Sequence, residues 1–178
     1  MRKVRRLPAH GKTTVNQRPA AGRRCAQIFV ELLLTMPILC ILLVGIVEFG
    51  IILSVTKHVA ASSRFGAKLA SVEPAPGAFA PLLRSRIDNF LETAGIDTGA
   101  CRVILEDNVG GATVQVDPAD GCSCSAPTTP LPMTAGAEFV RVTVCVPLED
   151  NVPDLLSSFG FSVGNRFVEH TTLFRHIP

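Results

Sequence analysis

Two acids inside a long apolar run are the residues whose type and position most directly raise a question of chemistry. Glu31 and Glu48 are the only charged residues between Ile28 and Val55, a stretch of 28 residues. An ionised carboxylate surrounded by lipid is costly unless a partner stabilises it. The separation of 17 residues brings Glu48 about 100° round a helix from Glu31. We therefore expect two separate roles and no paired catalytic site.

The position of Glu48 leaves several roles open for its carboxylate. Sixteen uncharged residues, 32–47, separate it from Glu31, and in a helix they cover about 24 Å. Glu48 is therefore expected near the outer interface of a membrane. There its side chain extends outward to water, pairs with a group of another subunit, or is held as the neutral acid by desolvation.

The apolar run itself predicts a transmembrane helix, because about 20 apolar residues are enough to cross a hydrocarbon core. A core helix of a soluble domain is the alternative. However, a chain of 178 residues provides too little protein to surround a helix that is apolar on every side. Pro37 predicts a helix kink near residues 33–37, since proline removes one backbone hydrogen bond and clashes with the preceding turn. Thr35 is close enough to help satisfy the freed carbonyl.

The charge distribution predicts the orientation of that helix. Residues 1–24 contain eight Lys or Arg and no acid, whereas residues 56–178 contain nine basic and 13 acidic side chains. Basic residues beside a transmembrane helix remain in the cytoplasm. A nucleic-acid role for the basic segment is the alternative, but its place next to the apolar run favours the role in orientation. We predict a single-pass membrane protein whose N-terminus is cytoplasmic and whose C-terminal part is exported.

Three regions follow from these patterns. Residues 1–26 form a basic cytoplasmic leader without apolar periodicity, and we expect it to lack regular structure. Residues 27–72 form the transmembrane helix and its continuation into the exported domain. In that continuation, small residues at positions 60, 63, 67 and 70 make a stripe that suits close packing. Residues 73–178 form the exported domain.

The exported domain is predicted to combine helices and strands. Apolar residues recur at helical spacing between residues 78 and 95, with Gly95 as the cap, and residues 151–159 suggest a short second helix. Runs bounded by turn residues predict four strands: 101–106, 112–116, 138–146 and 166–175. We therefore predict an α+β fold, in which the long N-terminal transmembrane helix packs on a small antiparallel sheet.

Four cysteines lie in the exported domain: Cys101, Cys122, Cys124 and Cys145. An even number in an oxidising compartment predicts two disulfides. Cys122 and Cys124 are not expected to pair with each other, so their expected partners are Cys101 and Cys145, in either combination. A metal site is the alternative, but cysteines one residue apart with no histidine nearby suit zinc poorly.

The sequence contains no recognised catalytic motif. It has no Gly-x-Ser-x-Gly, no His-Glu-x-x-His and no phosphate-binding loop. Asp117 and Asp120 could contact Ca²⁺, but a third ligand is missing. The chain contains no Trp or Tyr, which disfavours an aromatic platform for nucleic acid. We predict that the protein is no enzyme and has no catalytic residues, no cofactor, no metal site and no nucleic-acid partner.

A series of motifs in residues 25–71 has the order and spacing of a known family. Val30-Glu31 is followed by Pro37, then by Gly45, and then by Ile46-Val47-Glu48-Phe49-Gly50. A small-residue segment with an arginine, residues 60–67, comes next. With these motifs the chain resembles the TadE-like pseudopilins of the Tad/Flp pilus machinery.

The resemblance implies a pilin-like fold and a minor pseudopilin, which is a membrane-anchored structural subunit in Tad/Flp-type pilus assembly or secretion. It implies the bacterial inner membrane as the location, with the exported domain periplasmic or extracellular. The implied partners are the membrane, other pseudopilins or pilus-assembly membrane proteins, and a prepilin peptidase. A single-span membrane protein with an exported binding or sensor domain is the alternative. Such a domain would carry a pocket of convergent polar groups in residues 78–178.

The resemblance also implies a processing site. With Glu31 as the fifth residue of the mature protein, the peptidase cleaves between Ala26 and Gln27. Glu31 then pairs with the α-amino group of a neighbouring subunit; the alternative is that its side chain only extends to the cytoplasmic interface of the membrane. The family has Gly before the cleaved bond and an aromatic residue after the first Glu, whereas this chain has Ala26 and Leu32. Cleavage and an uncleaved anchor therefore both stay open.

Overall fold

The computed structural model describes most of the chain after its first 20 residues. The described ranges are 21–96, 102–111, 113–117, 124, 128–132 and 137–177, with the backbone alone for residues 21–26. The chain divides into two units, residues 1–41 and residues 42–178. Most of the predicted leader, residues 1–20, lies outside the described residues.

Helix α1, Ala21–Ala70, is an α-helix of 50 residues. It begins six residues before the predicted start at Gln27, so residues 21–26 of the leader are helical and not irregular as expected. No proline lies between Pro19 and Pro37 to stop the helix there. The helix ends at Ala70, two residues before the predicted end at residue 72. Pro74 follows shortly after and disfavours further helical turns.

Pro37 lies inside α1, and the helix continues through it; the kink stays a prediction. Thr35 Oγ1 donates to the carbonyl oxygens of Glu31 at 3.0 Å and Leu32 at 3.3 Å. The carbonyl that Pro37 leaves without its amide partner is that of Leu33. We expected Thr35 to help satisfy this carbonyl, but it does not. A helical threonine hydroxyl reaches carbonyls three or four residues earlier, and Leu33 is only two residues earlier.

Helix α2, Pro76–Thr93, packs its apolar stripe into the second unit. It begins with a proline in the first turn, where the missing amide costs nothing. Its buried apolar side chains include Ala80, Leu83, Ile87 and Leu91. At its end the amide of Gly95 bonds to the carbonyl of Glu92 and that of Ile96 to Leu91. Gly95 has φ 76°, so it ends the helix in a Schellman motif, as a left-handed cap residue.

Within the described ranges, four antiparallel strands form one sheet. They are β1, Arg102–Asp107; β2, Val114–Val116; β3, Phe139–Pro147; and β4, Phe167–Arg175, in the spatial order β2-β1-β3-β4. The predicted hairpin of β1 and β2 is present, with Leu105 opposite Val116. The long strands β3 and β4 pair along their whole length. The α+β fold with a long apolar helix and a small antiparallel sheet is therefore confirmed.

One face of the sheet forms the core of the second unit together with α1 and α2. Side chains at alternate positions of β3 supply its centre, as expected for a strand with one face on the core. The core cluster includes Val55, Val59 and Ala67 of α1, Leu83, Ile87 and Leu91 of α2, Val103 and Leu105 of β1, and Val140, Val142, Val144 and Val146 of β3. The predicted small-residue stripe lies at this contact, since Ser63, Ala67 and Ala70 are buried.

The predicted helix over residues 151–159 is wrong for residues 151–156. The chain forms only a short 3-10 helix there, Ser157–Phe159, preceded by turns. In an α-helix the amide of Leu156 would donate to the carbonyl of Val152. Instead it donates to the Glu48 carboxylate of α1. The amide of Leu156, which a helical turn would need as a donor, is thus used in a tertiary hydrogen bond to Glu48.

Candidate functional site

The first candidate surface is the apolar exterior of α1. Within the described ranges, the helix Gln27–Ala70 is long and apolar enough to cross a membrane. Its exposed large apolar side chains include Ile28, Phe29, Leu32, Leu33, Leu34, Met36, Leu39, Leu42, Ile46, Phe49 and Leu53. Because consecutive residues such as Leu32, Leu33 and Leu34 are exposed alike, more than one side of the helix is apolar. Such a surface is unfavourable in water and suits lipid or apolar helices.

The predicted processing residues lie near the start of this surface. Gln27 and Glu31 are both exposed, and the helix backbone includes Ala26 just before them. A separation of four residues brings Gln27 and Glu31 to neighbouring positions on one helix face, and both line one shallow depression. The carboxylate of Glu31 is therefore accessible to another molecule. The bond between Ala26 and Gln27 lies inside α1, so its cleavage requires the helix to open locally.

The second acid, Glu48, has a partner in its own chain. Its side chain is 3% exposed, and Oε2 accepts a hydrogen bond of 3.0 Å from the backbone amide of Leu156. This role was not among the alternatives that the sequence left open. The only signal in the sequence was an acid at the end of an apolar run, and nothing in residues 153–163 marked that loop as its partner.

A cleft of about 200 Å³ lies beside Glu48, between α1 and the loop that follows β3. Its apolar lining includes Ile52, Leu148 and Phe161, and its polar lining is Glu48, Ser162 and Arg166. Glu48 binds the Leu156 amide, and Ser162 Oγ donates to Asp154 at 2.8 Å. Two of the three polar side chains of the cleft are therefore engaged within the protein, and the side chain of Arg166 is exposed.

A buried serine of α1 contacts half-buried polar side chains of the edge strand β4. Ser63 Oγ lies 2.8 Å from His170 Nδ1 and 2.7 Å from Thr172 Oγ1, and it donates to the carbonyl of Ala60 at 3.2 Å. A hydroxyl has one proton, so with that proton on Ala60 the other two groups are the donors. Within the described residues no carboxylate bonds to His170, so the arrangement holds the helix on the sheet and lacks the third member of a catalytic triad.

Gly66 allows the closest contact between α1 and the other elements. A Cβ atom at this position would lie 2.8 Å from Ile87 Cδ1 of α2 and 3.3 Å from Val142 Cγ1 of β3. Any larger residue would have to displace one of these buried side chains. The glycine is part of the small-residue segment that the sequence analysis singled out, and the structure gives its physical reason.

A disulfide joins Cys124 to Cys145 of β3, with the Cα atoms 6.5 Å apart. This agrees with one of the two predicted combinations. It leaves Cys101 and Cys122 as the other pair, and both lie outside the described residues, so that disulfide stays a prediction. No cluster of three or more His, Cys, Asp or Glu side chains that could hold a metal occurs within the described ranges.

The second face of the sheet carries ion pairs that the sequence analysis missed. Arg141 of β3 lies directly opposite Glu106 of β1. The two form a buried bidentate pair, with Nε donating to Oε2 at 2.5 Å and Nη2 to Oε1 at 2.7 Å. Asp117, which was considered as a Ca²⁺ ligand, accepts a hydrogen bond of 2.6 Å from Arg102 Nε. The sequence does show opposite charges on the two strands that contain Glu106 and Arg141. Predicting that these residues pair, however, requires the register of the strands.

A buried acid lies at the end of β1. Burial raises the pKa of Asp107 above its ordinary value of 3.8, and nearby Glu138 adds to the rise. The amide of Val109, which donates to Oδ1 at 3.3 Å, and the neighbouring His176 lower the pKa in part. Asp107 Oδ2 and His176 Nδ1 are both buried without a hydrogen-bond partner in the described residues.

Comparison with known proteins yields a match in the N-terminal half of the chain. A family model described as TadE-like protein matches residues 26–68. The matched segment contains the predicted processing residues Gln27 and Glu31, the proline at position 37 and the buried Glu48. No significant match was found among curated proteins or among solved structures. The match falls within residues 25–71, where the motifs of the sequence indicated the resemblance.

Proposed function

We propose that this chain is a minor pseudopilin, a membrane-anchored structural subunit in Tad/Flp-type pilus assembly or secretion. The observation that carries the proposal is the match of residues 26–68 to the TadE-like family, which suggests involvement in Tad pilus assembly. The exposed apolar surface of α1 supports it, because a subunit of this kind acts through lipid and helix contacts and not through a reaction. No enzymatic activity is part of the proposal.

In this proposal α1 crosses the bacterial inner membrane once. The basic leader remains in the cytoplasm by the positive-inside rule, and the second unit is periplasmic or extracellular. A prepilin peptidase cleaves between Ala26 and Gln27 and exposes a new α-amino group. The carboxylate of Glu31 in one subunit then pairs with that amino group in the next.

The two acids of the apolar run have different roles in this scheme. Glu48 already binds the Leu156 amide of its own chain, whereas Glu31 is exposed. A carboxylate in lipid needs a partner, so Glu31 is the acid that is available to a neighbouring subunit. Other pseudopilins and the membrane proteins of the assembly machinery are the proposed partners.

Two experiments separate processing from assembly. The first is the intact mass of the membrane-extracted protein, produced with and without a prepilin peptidase. A mature protein that starts at Gln27 is expected only with the active peptidase. Ala26→Gly is expected to be cleaved faster, since it removes the side chain next to the scissile bond. An intact leader in the presence of the peptidase would mean that the protein remains an uncleaved anchor.

The second experiment is deletion and complementation in the native host. We expect that deletion abolishes piliation, that the wild-type chain restores it, and that Glu31→Ala is cleaved but does not restore it. Glu92→Gln, which changes an exposed acid of α2, is the matched control and should restore piliation. Normal piliation and secretion after deletion would contradict the proposed function and favour a binding or sensor protein.

A further inference from the structure

The loop between β3 and β4 exposes three large apolar side chains within seven residues. Leu155 is 47% exposed, Phe159 57% and Phe161 65%. Single exposed apolar residues are common on protein surfaces, but a cluster of large ones marks a surface that contacts something else. We refer to residues 153–163 as the apolar loop.

The apolar loop lies against α1 at a defined level. The amide of Leu156 donates to Glu48 Oε2 at 3.0 Å, and Leu156 Cδ1 lies 3.9 Å from the position of a Cβ atom at Gly45. Phe161 lines the same cleft as Ile52 of the helix. The loop therefore contacts α1 between Gly45 and Ile52.

That level is the outer boundary of the membrane if α1 is the anchor, so the inference rests on the proposed function. A span that begins at Ile28 and needs about 20 residues ends near Val47. Next to the loop, the helix itself exposes the apolar side chains of Ile46, Phe49 and Leu53. The exposed apolar side chains of the loop therefore lie at the same height along α1 as the outer end of the apolar run.

Contact with lipid requires backbone amides to bond within the protein, and the amides of the three exposed apolar residues and of Leu156 do so. Leu155 donates to the carbonyl of Pro153 at 3.0 Å. Phe159 and Phe161 both donate to the carbonyl of Leu156, at 2.9 and 3.3 Å. Leu156 donates to Glu48, as described above. These four amides of the loop are therefore satisfied without water, while its large apolar side chains are exposed.

The charges around the loop indicate which kind of lipid it suits. The exposed acids Glu149 and Asp150 precede the loop, the exposed Asp154 lies within it next to Leu155, and Arg166 follows it. This balance provides no attraction to an anionic surface. The contact would therefore be driven by apolar burial, for which zwitterionic lipid is sufficient.

We infer that the apolar loop inserts Leu155, Phe159 and Phe161 into the outer leaflet of the membrane, as a second anchor beside α1. Insertion removes these apolar side chains from water, and the hydrogen bond from Leu156 to Glu48 holds the loop at that depth. The exported unit then contacts the bilayer directly through the loop, in addition to its connection through α1.

The absence of Trp and Tyr from the chain makes the test direct, because an introduced tryptophan is the only one present. Full-length Phe161→Trp is reconstituted in nanodiscs of zwitterionic phosphatidylcholine that hold one copy each. Phe29→Trp, in the apolar run, is the positive control, and Val114→Trp, exposed on β2, is the negative control. Quenching by brominated acyl chains and by aqueous acrylamide is measured for each.

We expect Phe161→Trp to emit at shorter wavelength than Val114→Trp, to lose intensity with brominated lipid, and to be protected from acrylamide. A Phe161→Trp signal equal to that of Val114→Trp, with Phe29→Trp still quenched by lipid, overturns the inference and leaves the anchor intact. Failure of lipid to quench Phe29→Trp would contradict the membrane anchor itself. Protection of Phe161→Trp only in discs with several copies would assign the loop to a protein contact and also overturn the inference.

Discussion

The carboxylate of Glu48 binds a backbone amide of a segment 108 residues away in the chain. By accepting the amide of Leu156, it replaces the carbonyl of Val152 that a helix would have supplied. The benefit is mutual, because a buried carboxylate and a buried amide would each be costly without a partner. A residue whose type suggested an intersubunit contact therefore stabilises its own chain.

Asp107 predicts a dependence of stability on pH. Burial raises the pKa of its carboxyl in the folded protein above the ordinary value of 3.8, so folding favours the protonated form. Ionisation of Asp107 therefore costs stability as the pH rises from below 3.8 through the raised pKa. Asp107→Asn cannot ionise, and its unfolding free energy relative to wild type should increase over that range. Denaturant unfolding of the full chain in detergent at several pH values measures this.

The matched control for Asp107→Asn is Asp150→Asn, at an exposed acid. Its stability relative to wild type should not follow the same trend. Parallel pH profiles for wild type and Asp107→Asn would show that the carboxyl has the same pKa in both the folded and unfolded states.

At the scale of elements, α1 combines two kinds of helix. Its first part exposes large apolar residues, whereas the part after Val55 buries a face of small residues against α2 and the sheet. Close approach of a helix to other elements requires side chains with little volume at the contact. Gly66 is the position where this requirement is strictest, since both Ile87 and Val142 lie within 3.3 Å of a Cβ atom there.

Gly66→Leu should lower the unfolding free energy by about 1–3 kcal/mol, because overpacking forces buried side chains out of their preferred positions. Gly50→Leu is the matched control on the same helix, since a Cβ atom at Gly50 meets no atom within 4 Å. Thermal unfolding of both variants in the same detergent measures the difference. Equal unfolding temperatures for Gly66→Leu and the wild type would mean that α1 does not pack closely at this position.

At the scale of the whole molecule, the sheet of the second unit is covered on both faces in its middle. The first face packs on α1 and α2. On the second, Arg141, Thr143 and Cys145 of β3 are also buried, although alternation alone would place them toward solvent. Arg141 contacts its bidentate partner Glu106 on this face, and Cys145 forms its disulfide with Cys124 there.

The Cys124–Cys145 disulfide closes a loop with a sequence separation of 21 residues and should stabilise the folded protein by about 3 kcal/mol, mainly by restricting the unfolded chain. Replacing both cysteines by serine should lower the unfolding free energy by about that amount under oxidising conditions. Cys40→Ser, at an exposed free cysteine, is the control and should have no such effect. Equal stability of the double variant and wild type would contradict a structural role for the disulfide.

Local patterns in the sequence were enough to predict most elements of the fold. The apolar run, the helical stripe of α2 with its cap Gly95, and the alternation in β3 each depend on residues close together in the chain. The resemblance of residues 25–71 to the TadE-like family likewise rested on short-range spacing. The helix predicted over residues 151–159 failed, because its donor at Leu156 was taken by a distant carboxylate.

The sequence by itself determined that a long apolar helix precedes a small α+β domain, because periodicity and composition act over a few residues. Only the tertiary structure decided the partners of individual polar groups. Glu48 with Leu156, Ser63 with His170, and Arg141 with Glu106 are pairs between elements far apart in the chain. Their pairing depends on the register and packing of whole elements, and no spacing within the sequence encodes these.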